Sequence, residues 1–241
     1  MAHTREFIGG LQARFANVRT RIAGAARRSN RAAEEITLVA ISKTYPASVI
    51  KEALEIGIAD LGENRVQEAE EKITEVGRRR VRWHLVGHLQ ANKARRAINL
   101  FDVIHSLDSA NLARRLDRLC VAERREELPV LIQVDFAQEE TKSGILESEL
   151  PDLVRSLSEC SQLRLIGLMV LPPFFENPEH ARPYFRRLRE LRDELASQGQ
   201  FHHGPGELSM GMTNDFEVAI EEGATLVRIG TAIFGERRPQ T

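Results

Sequence analysis

Lys43 stands where its side chain could do covalent chemistry. No charged residue lies between Glu35 and Lys43, and the residues between them form an apolar run that ends in Ser42. A lysine at the end of such a run is partly desolvated, which disfavours the ammonium form and makes the neutral amine available to attack a carbonyl. The competing reading is a lysine that reaches back to water or makes a plain phosphate contact. A second constellation lies near the C-terminus. Ser209, Met210, Gly211, Met212 and Thr213 lead into a helical pattern at Asn214, while Gly230 and Thr231 follow an apolar run. Small residues let backbone amides approach an anion closely, and a helix start supplies unpaired N–H donors with partial positive charge. Tight turns alone would also account for these residues. Arg228 sits inside the last apolar run, where a buried guanidinium needs a partner. That partner is either a carboxylate in the core or a ligand; an arginine donating to a pyridine nitrogen would keep the nitrogen unprotonated and weaken the ring as an electron sink.

These residues must be positioned by something regular. After an N-terminal helical stripe (Phe7, Leu11, Phe15, Val18, Ile22) that stops near Ser29 and Asn30, strand-like and helix-like segments alternate. Strands are predicted over 36–41, 58–61, 81–86, 102–107, 129–136, 163–171, 207–210 and 225–229. Helices are predicted over 46–55, 64–76, 92–100, 109–126, 147–160, 179–197 and 214–222, with Asn64 and Gln67 as a capping pair and a short tail after the eighth strand. Near-continuous apolar strands mark a parallel sheet covered on both faces. Eight such units predict a single (β/α)8 TIM barrel with an extra N-terminal helix, one domain over 1–241; an open doubly wound sheet is the alternative. In such barrels function collects where the strands end, and phosphate binds after strands 7 and 8. The mouth would then gather Lys43, Asn64, His88, Asp108, Asp135 and the 209–213 and 228–231 segments. A lysine amine and a phosphate cup on one face suit a phosphorylated carbonyl compound, either pyridoxal phosphate or the sugar phosphate of an aldolase.

The rest of the composition excludes more than it proposes. With 34 Lys+Arg against 35 Asp+Glu, no global field draws the chain to nucleic acid or membrane. The clusters Arg78–Arg79–Arg80 and Arg186–Arg187 read as solvated helix ends and faces. Cys120 and Cys160 match no metal spacing, and the N-terminus has no signal-peptide run, so a cytoplasmic setting is expected. His84 and His88 would not share a metal from one strand, His202 and His203 read as loop surface, and Lys142 as a loop lysine near the mouth.

The segments LVAISKT (38–44), GENRVQE (62–68), WHLVGHLQANK (83–93), TKSG (141–144), GLM (167–169), LSMGMTND (208–215) and RIGTAIFG (228–235), in this order, resemble the pyridoxal phosphate homeostasis family. That family is similar to the N-terminal barrel domain of alanine racemase. The resemblance implies a protein that binds pyridoxal 5′-phosphate and balances vitamin B6 pools without robust turnover. It implies that Lys43 is the Schiff-base lysine, that Ser209, Met210, Gly211, Met212, Thr213, Gly230 and Thr231 surround the phosphate, that Arg228 faces the pyridine nitrogen and that Asn64 lies beside the ring. Two positions depart from the pattern: Arg65 stands where Tyr is common, and Thr213 where Ser is commoner, which preserves the hydroxyl. A two-base racemase needs an acid–base group on each face of the substrate carbon. Alanine racemase takes one from a further domain and subunit, and neither Tyr45 nor Tyr184 is well placed to replace it. The expectation is therefore a non-catalytic, monomeric carrier, with pyridoxal phosphate and the apoenzymes that receive it as partners. A weak amino-acid racemase and a sugar-phosphate aldolase are the alternatives.

Overall fold

A computed structural model describes residues 2–78, 80–137, 143–202 and 204–236, with side chains from residue 10 onward. The parts of the reading that involve Arg79, Thr141, Lys142, His203 and the Phe7 side chain lie outside the described residues. Eight parallel strands run β1 (Thr37–Ile41), β2 (Asp60–Glu63), β3 (Arg82–Leu85), β4 (Val103–Leu107), β5 (Leu128–Val134), β6 (Leu163–Val170), β7 (Glu207–Ser209) and β8 (Leu226–Ile229). They follow one another around a closed barrel, which β8 completes by pairing with β1 through Val39↔Arg228 and Ala40↔Ile229. The barrel, rather than the open sheet, is the observed fold.

Between the strands lie α2 (Ala47–Glu55), α3 (Val66–Val76), α4 (Ala94–Leu100), α5 (Ala110–Ala122), α6 (Leu150–Ser158), α7 (Arg182–Ser197) and α8 (Phe216–Glu221). The main apolar layer fills the space between these helices and the strands, and Trp83, Phe101, Phe185 and Phe216 are fully buried in it. Because strand side chains alternate, every second residue points the other way, into the barrel. That interior holds only a small apolar cluster, including Val39, Ile41, Val86, Leu131 and Met169. Buried polar residues, among them His84, His105, Ser209 and Arg228, accompany it.

The extra helix α1 (Ala2–Arg28) buries Leu11, Val18 and Ile22. It covers the β8–β1 side, where α8 is only 6 residues long. Polar contacts lock it there: Arg21 to Glu217 at 2.8 Å and Arg14 Nε to the Ile233 carbonyl at 2.7 Å.

Three expectations are corrected. The second strand runs over 60–63 instead of 58–61. Ile58 is apolar because it packs in the core, but its N–H bonds back to Ala53 at the end of α2, so ladder pairing begins at Asp60 with Arg82. The Asn64–Gln67 cap is not made: Asn64 lies in a bend, and Arg65 is the N-cap residue, with no side-chain cap bond. The tail after β8 turns at once into a short helix, α9 (Thr231–Phe234), because the Gly230 carbonyl accepts from both Ile233 and Phe234 N–H.

Candidate functional site

Lys43 occupies the turn directly after β1 and is half-buried. Val39 and Ile41 point inward from β1, and the same alternation carried one step further aims Lys43 at the barrel mouth. Its backbone is gripped from both sides by α3 and β2. Lys72 Nζ donates to the Ser42 carbonyl, to Glu63 Oε1 and to Glu68 Oε1, each at 2.7 Å. Ser42 Oγ donates to Glu63 Oε1 at 2.6 Å, and the Thr44 N–H donates to Glu68 Oε1. Thr44 has φ +71°, a strained conformation for a β-branched residue. The carboxylate of Glu68 meets the N–H that this conformation turns outward.

The clamp is ionic and largely dry. Lys72 is 6% exposed and Glu63 fully buried. Burial raises the Glu63 pKa above the ordinary carboxylate value against the pull of Lys72 and Ser42. For Glu68 burial works in the same direction, but hydrogen bonds from Lys72 and Thr44 prevail and hold it below that value.

On the neighbouring strand β8, Arg228 is held differently. Its Nη1 donates to Ser209 Oγ at 2.5 Å and its Nη2 to the Val170 carbonyl at 2.8 Å. Among the described residues no carboxylate is in ion-pair contact with it. Burial pushes its pKa down to about 10, with only the more distant Asp215 opposing. A buried cation held by neutral acceptors keeps its net charge and its remaining N–H groups for something else. Because Val170 and Ser209 are the last residues of β6 and β7, the guanidinium lies near the strand ends.

The two loops above Arg228 meet. Thr231 Oγ1 lies 3.3 Å from Thr213 Oγ1, joining the segment after β7 to that after β8. Gly211 has φ +91°, and a Cβ there would lie 2.6 Å from Ala219 Cβ and 2.9 Å from Phe216 Cα, so the first of these loops needs glycine. The Met212 N–H donates to Asp215 Oδ1 at 2.6 Å, which fixes the loop's curvature. Gly230 packs against Ile41, and because its carbonyl takes the Ile233 and Phe234 N–H groups, the donors left at the start of α9 are those of Thr231 and Ala232.

Not every anticipated residue turns toward this mouth. The Ser209 hydroxyl is wholly buried and is engaged by Arg228 and, at 2.8 Å, by His105 Nδ1, so it supports the arginine instead of pointing into the cup. The Met210 side chain packs in the outer apolar layer. Met212 and Thr213 are half-buried at the rim, and Asn64 is half-buried after β2, where a Cβ on Gly87 would strike its carbonyl oxygen at 2.3 Å. Arg65 is exposed. His88 pairs with Asp108 at 3.0 Å, whereas His84 points into the barrel. No cluster able to hold a metal occurs among the described residues. Cys120 and Cys160 are free and buried, and burial pushes both thiols up to about 11. Arg78 pairs with Asp102, and Arg186 with Glu222, as expected of helix-end and helix-face residues. No helix among the described residues is long and apolar enough to cross a membrane.

The residues that sequence reasoning missed are the supports. Lys72 follows Glu68 at helical i,i+4 spacing, which reads as a solvated surface pair; only the approach of β1 and β2 buries it. His105 sits in a short apolar strand with nothing local to mark it. A histidine and a serine in the interior-facing register of β4 and β7 were the available signal.

The fold and mouth define a barrel of the alanine racemase type: residues 17–238 match the family model described as alanine racemase, N-terminal domain. Within that class the chain belongs to the pyridoxal phosphate homeostasis protein family. It is 44% identical over 225 residues to the family's protein from Aquifex aeolicus, covering 93% of this chain and 97% of that one. It is 43% identical over 229 residues to the protein from Escherichia coli K12, with coverage of 92% and 95%. Among solved structures it resembles PipY of Synechococcus elongatus PCC7942 with PLP bound, at TM-score 0.82 and 36% identity, covering 93% of this chain and all of that one (100%). An alanine racemase from Clostridium difficile 630 shares the fold at TM-score 0.71 and 14% identity, over 95% of this chain and 57% of that one.

Proposed function

We propose that this protein binds pyridoxal 5′-phosphate at the barrel mouth and serves vitamin B6 homeostasis by holding and releasing it. The observation that carries this reading is the convergence of three groups on one end of the barrel. These are the Lys43 amine after β1, the joined Thr213 and Thr231 hydroxyls after β7 and β8, and beneath them a buried arginine that no carboxylate among the described residues contacts. The relatives' names and the PLP-bound PipY point to the same ligand.

The residues fit that ligand by chemistry. When bound, pyridoxal phosphate supplies an aldehyde that condenses reversibly with a primary amine and a ring that can accept electron density. Lys43 offers the amine, held in place by the Lys72 clamp on the peptides around it. Thr213, Thr231 and the N–H groups of Gly211, Gly230 and Thr231 are the candidates for the phosphate, the Met212 N–H being donated to Asp215. Arg228 offers donors to the ring nitrogen and, as a cation, disfavours a proton there. Asn64 borders the ring. Ser209 and Met210 serve from behind, the first by fixing Arg228 and the second by packing the loop against the helices.

Holding, rather than turnover, is supported by the tyrosines. Tyr45 follows Lys43 by two residues, but its hydroxyl donates to the Gly235 carbonyl at 2.7 Å. Tyr184, near the start of α7, packs its ring against that of Phe175, with centroids 5.9 Å apart. The reading includes a single-domain monomer in the cytoplasm and pyridoxal-phosphate-dependent apoenzymes as recipients.

Purified protein should show a visible absorbance band that borohydride abolishes, leaving the label on Lys43 by peptide mass spectrometry; Lys43→Ala should lack it. A spectrum unchanged by added pyridoxal phosphate would overturn the reading. Lys43-dependent racemisation of an amino acid would replace the carrier with an enzyme. Turnover of a sugar phosphate without any B6 would move the barrel to the aldolase class.

A further inference from the structure

The interior of the barrel contains a polar chain longer than the cofactor mouth requires. Asp60, the first residue of β2, accepts from His84 Nε2 at 2.9 Å. His84 Nδ1 meets His105 Nε2 at 2.9 Å, and His105 Nδ1 meets Ser209 Oγ at 2.8 Å. Ser209 accepts from Arg228 at 2.5 Å. The chain crosses from β2 to β8 and climbs from the start of the strands to their ends. Its foot is the part most open to solvent: the Asp60 side chain is 22% exposed, while His84 is fully buried. Asp60 lines an open hollow of about 610 Å³ at the N-terminal end of the barrel, with Arg78, Arg82 and Asp102.

The two ends determine every proton between them. An ionised carboxylate only accepts, and a guanidinium only donates. Asp60 therefore takes the Nε2–H of His84. Burial holds His84 and His105 below the ordinary imidazole pKa, so each carries one ring proton. His84 Nδ1 is then an acceptor, which requires His105 to donate from Nε2 and leaves His105 Nδ1 to accept from the Ser209 hydroxyl. Ser209, having given its hydrogen, accepts from Arg228. Every donor has an acceptor and the direction is unique. A proton added to His84 would reverse the sequence: His84 would donate to His105, His105 to Ser209, and the Ser209 hydrogen would face the Arg228 donor with no acceptor of its own.

We propose that Asp60, His84 and His105 are positioning residues for Arg228, forming a one-directional hydrogen-bond relay that orients the guanidinium from the opposite end of the barrel. The relay gives the N-terminal end, which in such barrels ordinarily serves stability, a part in tuning the mouth. A change at the half-buried Asp60 is transmitted along these hydrogen bonds, over a distance no single side chain spans. The groups that bear on the chain are Asp60 from β2, Arg82 from β3, Asp102 before β4 and Arg228 from β8. What Arg228 finally faces rests on the pyridoxal phosphate reading; the existence of the relay does not.

The test therefore has two arms on the full-length protein. In ligand-free protein, nitrogen-15 NMR of the imidazoles should find His84 and His105 neutral with the proton on Nε2 throughout about pH 6–8, where an ordinary histidine titrates. Asp60→Ala, which leaves the His84 Nε2–H without its acceptor, should shift the ring-nitrogen signals of His84 and His105 and the Arg228 guanidinium signals. Asp60→Asn, whose amide oxygen still accepts, should restore the wild-type pattern. In cofactor-loaded protein the visible band of the wild type should not move over that range, whereas Asp60→Ala should gain a pH-dependent shift. A folded Asp60→Ala protein with unchanged His105 and Arg228 signals would overturn the relay. If the NMR arm behaves as expected but no form takes up pyridoxal phosphate, the relay stands and the ligand reading falls.

Discussion

Lys43 and Arg228, carried to the barrel mouth by the neighbouring strands β1 and β8, are supported by opposite means. Lys43 is held from outside the barrel, by a charged clamp in which Lys72 bridges Glu63, Glu68 and the Ser42 carbonyl. Arg228 is held from inside, by neutral acceptors, the Ser209 hydroxyl and the Val170 carbonyl. The difference follows from what each must keep available. Lys43 needs its backbone fixed, and the charges of the clamp grip the peptides on either side of it, at the Ser42 carbonyl and the Thr44 N–H. Arg228 needs its charge unspent, and a carboxylate beneath it would neutralise the cation and occupy its donors. Carboxylates therefore collect behind the strand that carries Lys43, while histidine and serine fill the interior next to Arg228.

Breaking the charged support should have the largest effect. Lys72→Met leaves Glu63 buried without its counter-ion, a change that typically costs about 3–5 kcal/mol. Urea unfolding should show a lowered midpoint with little change in slope. Adding Glu63→Leu to that variant should recover much of the loss, because the penalty lies in the orphaned charge and not in the missing pair. The double variant should still bind pyridoxal phosphate poorly, since Ser42 and Thr44 are no longer pinned. A loss from Lys72→Met comparable to that of an exposed ion pair, below about 1 kcal/mol, would show that the clamp carries no buried load.

The neutral support should yield less and respond to different conditions. Ser209→Ala leaves a guanidinium donor and a histidine acceptor without partners, worth about 1–3 kcal/mol. Combining it with His105→Phe should be markedly non-additive, because the two residues share one chain. The pH response separates the supports further. His84 and His105 have native pKa values depressed by burial. Their contribution to stability is complete above the unfolded value of about 6.5, declines as pH falls below it and is lost as pH passes through the native values. Each histidine kept neutral should steepen the fall by up to about 1.4 kcal/mol per pH unit. His105→Phe should flatten the denaturation-midpoint profile below neutral pH, and a profile as steep as that of the wild type would place the titrating group elsewhere.

The contrast also marks what could be read before folding. The alternation of apolar runs with amphipathic segments specified the barrel, since each period is written locally in residues such as Val39 and Ile41 or Leu188, Leu191 and Leu195. The mouth was legible because glycine, serine and threonine at strand ends, and a lysine after a charge-free run, are local signals. The supports were not. Lys72 and Glu68 look alike whether a helix faces water or a strand end, and His84, His105 and Ser209 are 21 and 104 residues apart along the chain. Their partnership exists only once the barrel closes. The misplacement of β2 has the same origin: apolar Ile58 signals burial, and burial in the core beneath α2 reads the same as burial in a strand.

The smallest effect should come from Thr44, and it distinguishes strain that serves the site from strain that is merely tolerated. Its φ of +71° is unfavourable for a β-branched residue, while glycine adopts that region freely. Relief of the strain favours Thr44→Gly, and the greater backbone freedom of glycine in the unfolded chain opposes it. The balance should fall within about 1 kcal/mol of zero on the stabilising side. If the Glu68 contact to the Thr44 N–H is what holds Lys43 toward the mouth, Thr44→Gly should leave pyridoxal phosphate affinity nearly unchanged, because glycine preserves both the conformation and the N–H. Thr44→Pro removes that N–H and cannot adopt positive φ, so it should abolish the visible band while the barrel still folds. Equal binding by both variants would shift the burden of positioning Lys43 from the 44 peptide to the Ser42 carbonyl and its bond to Lys72.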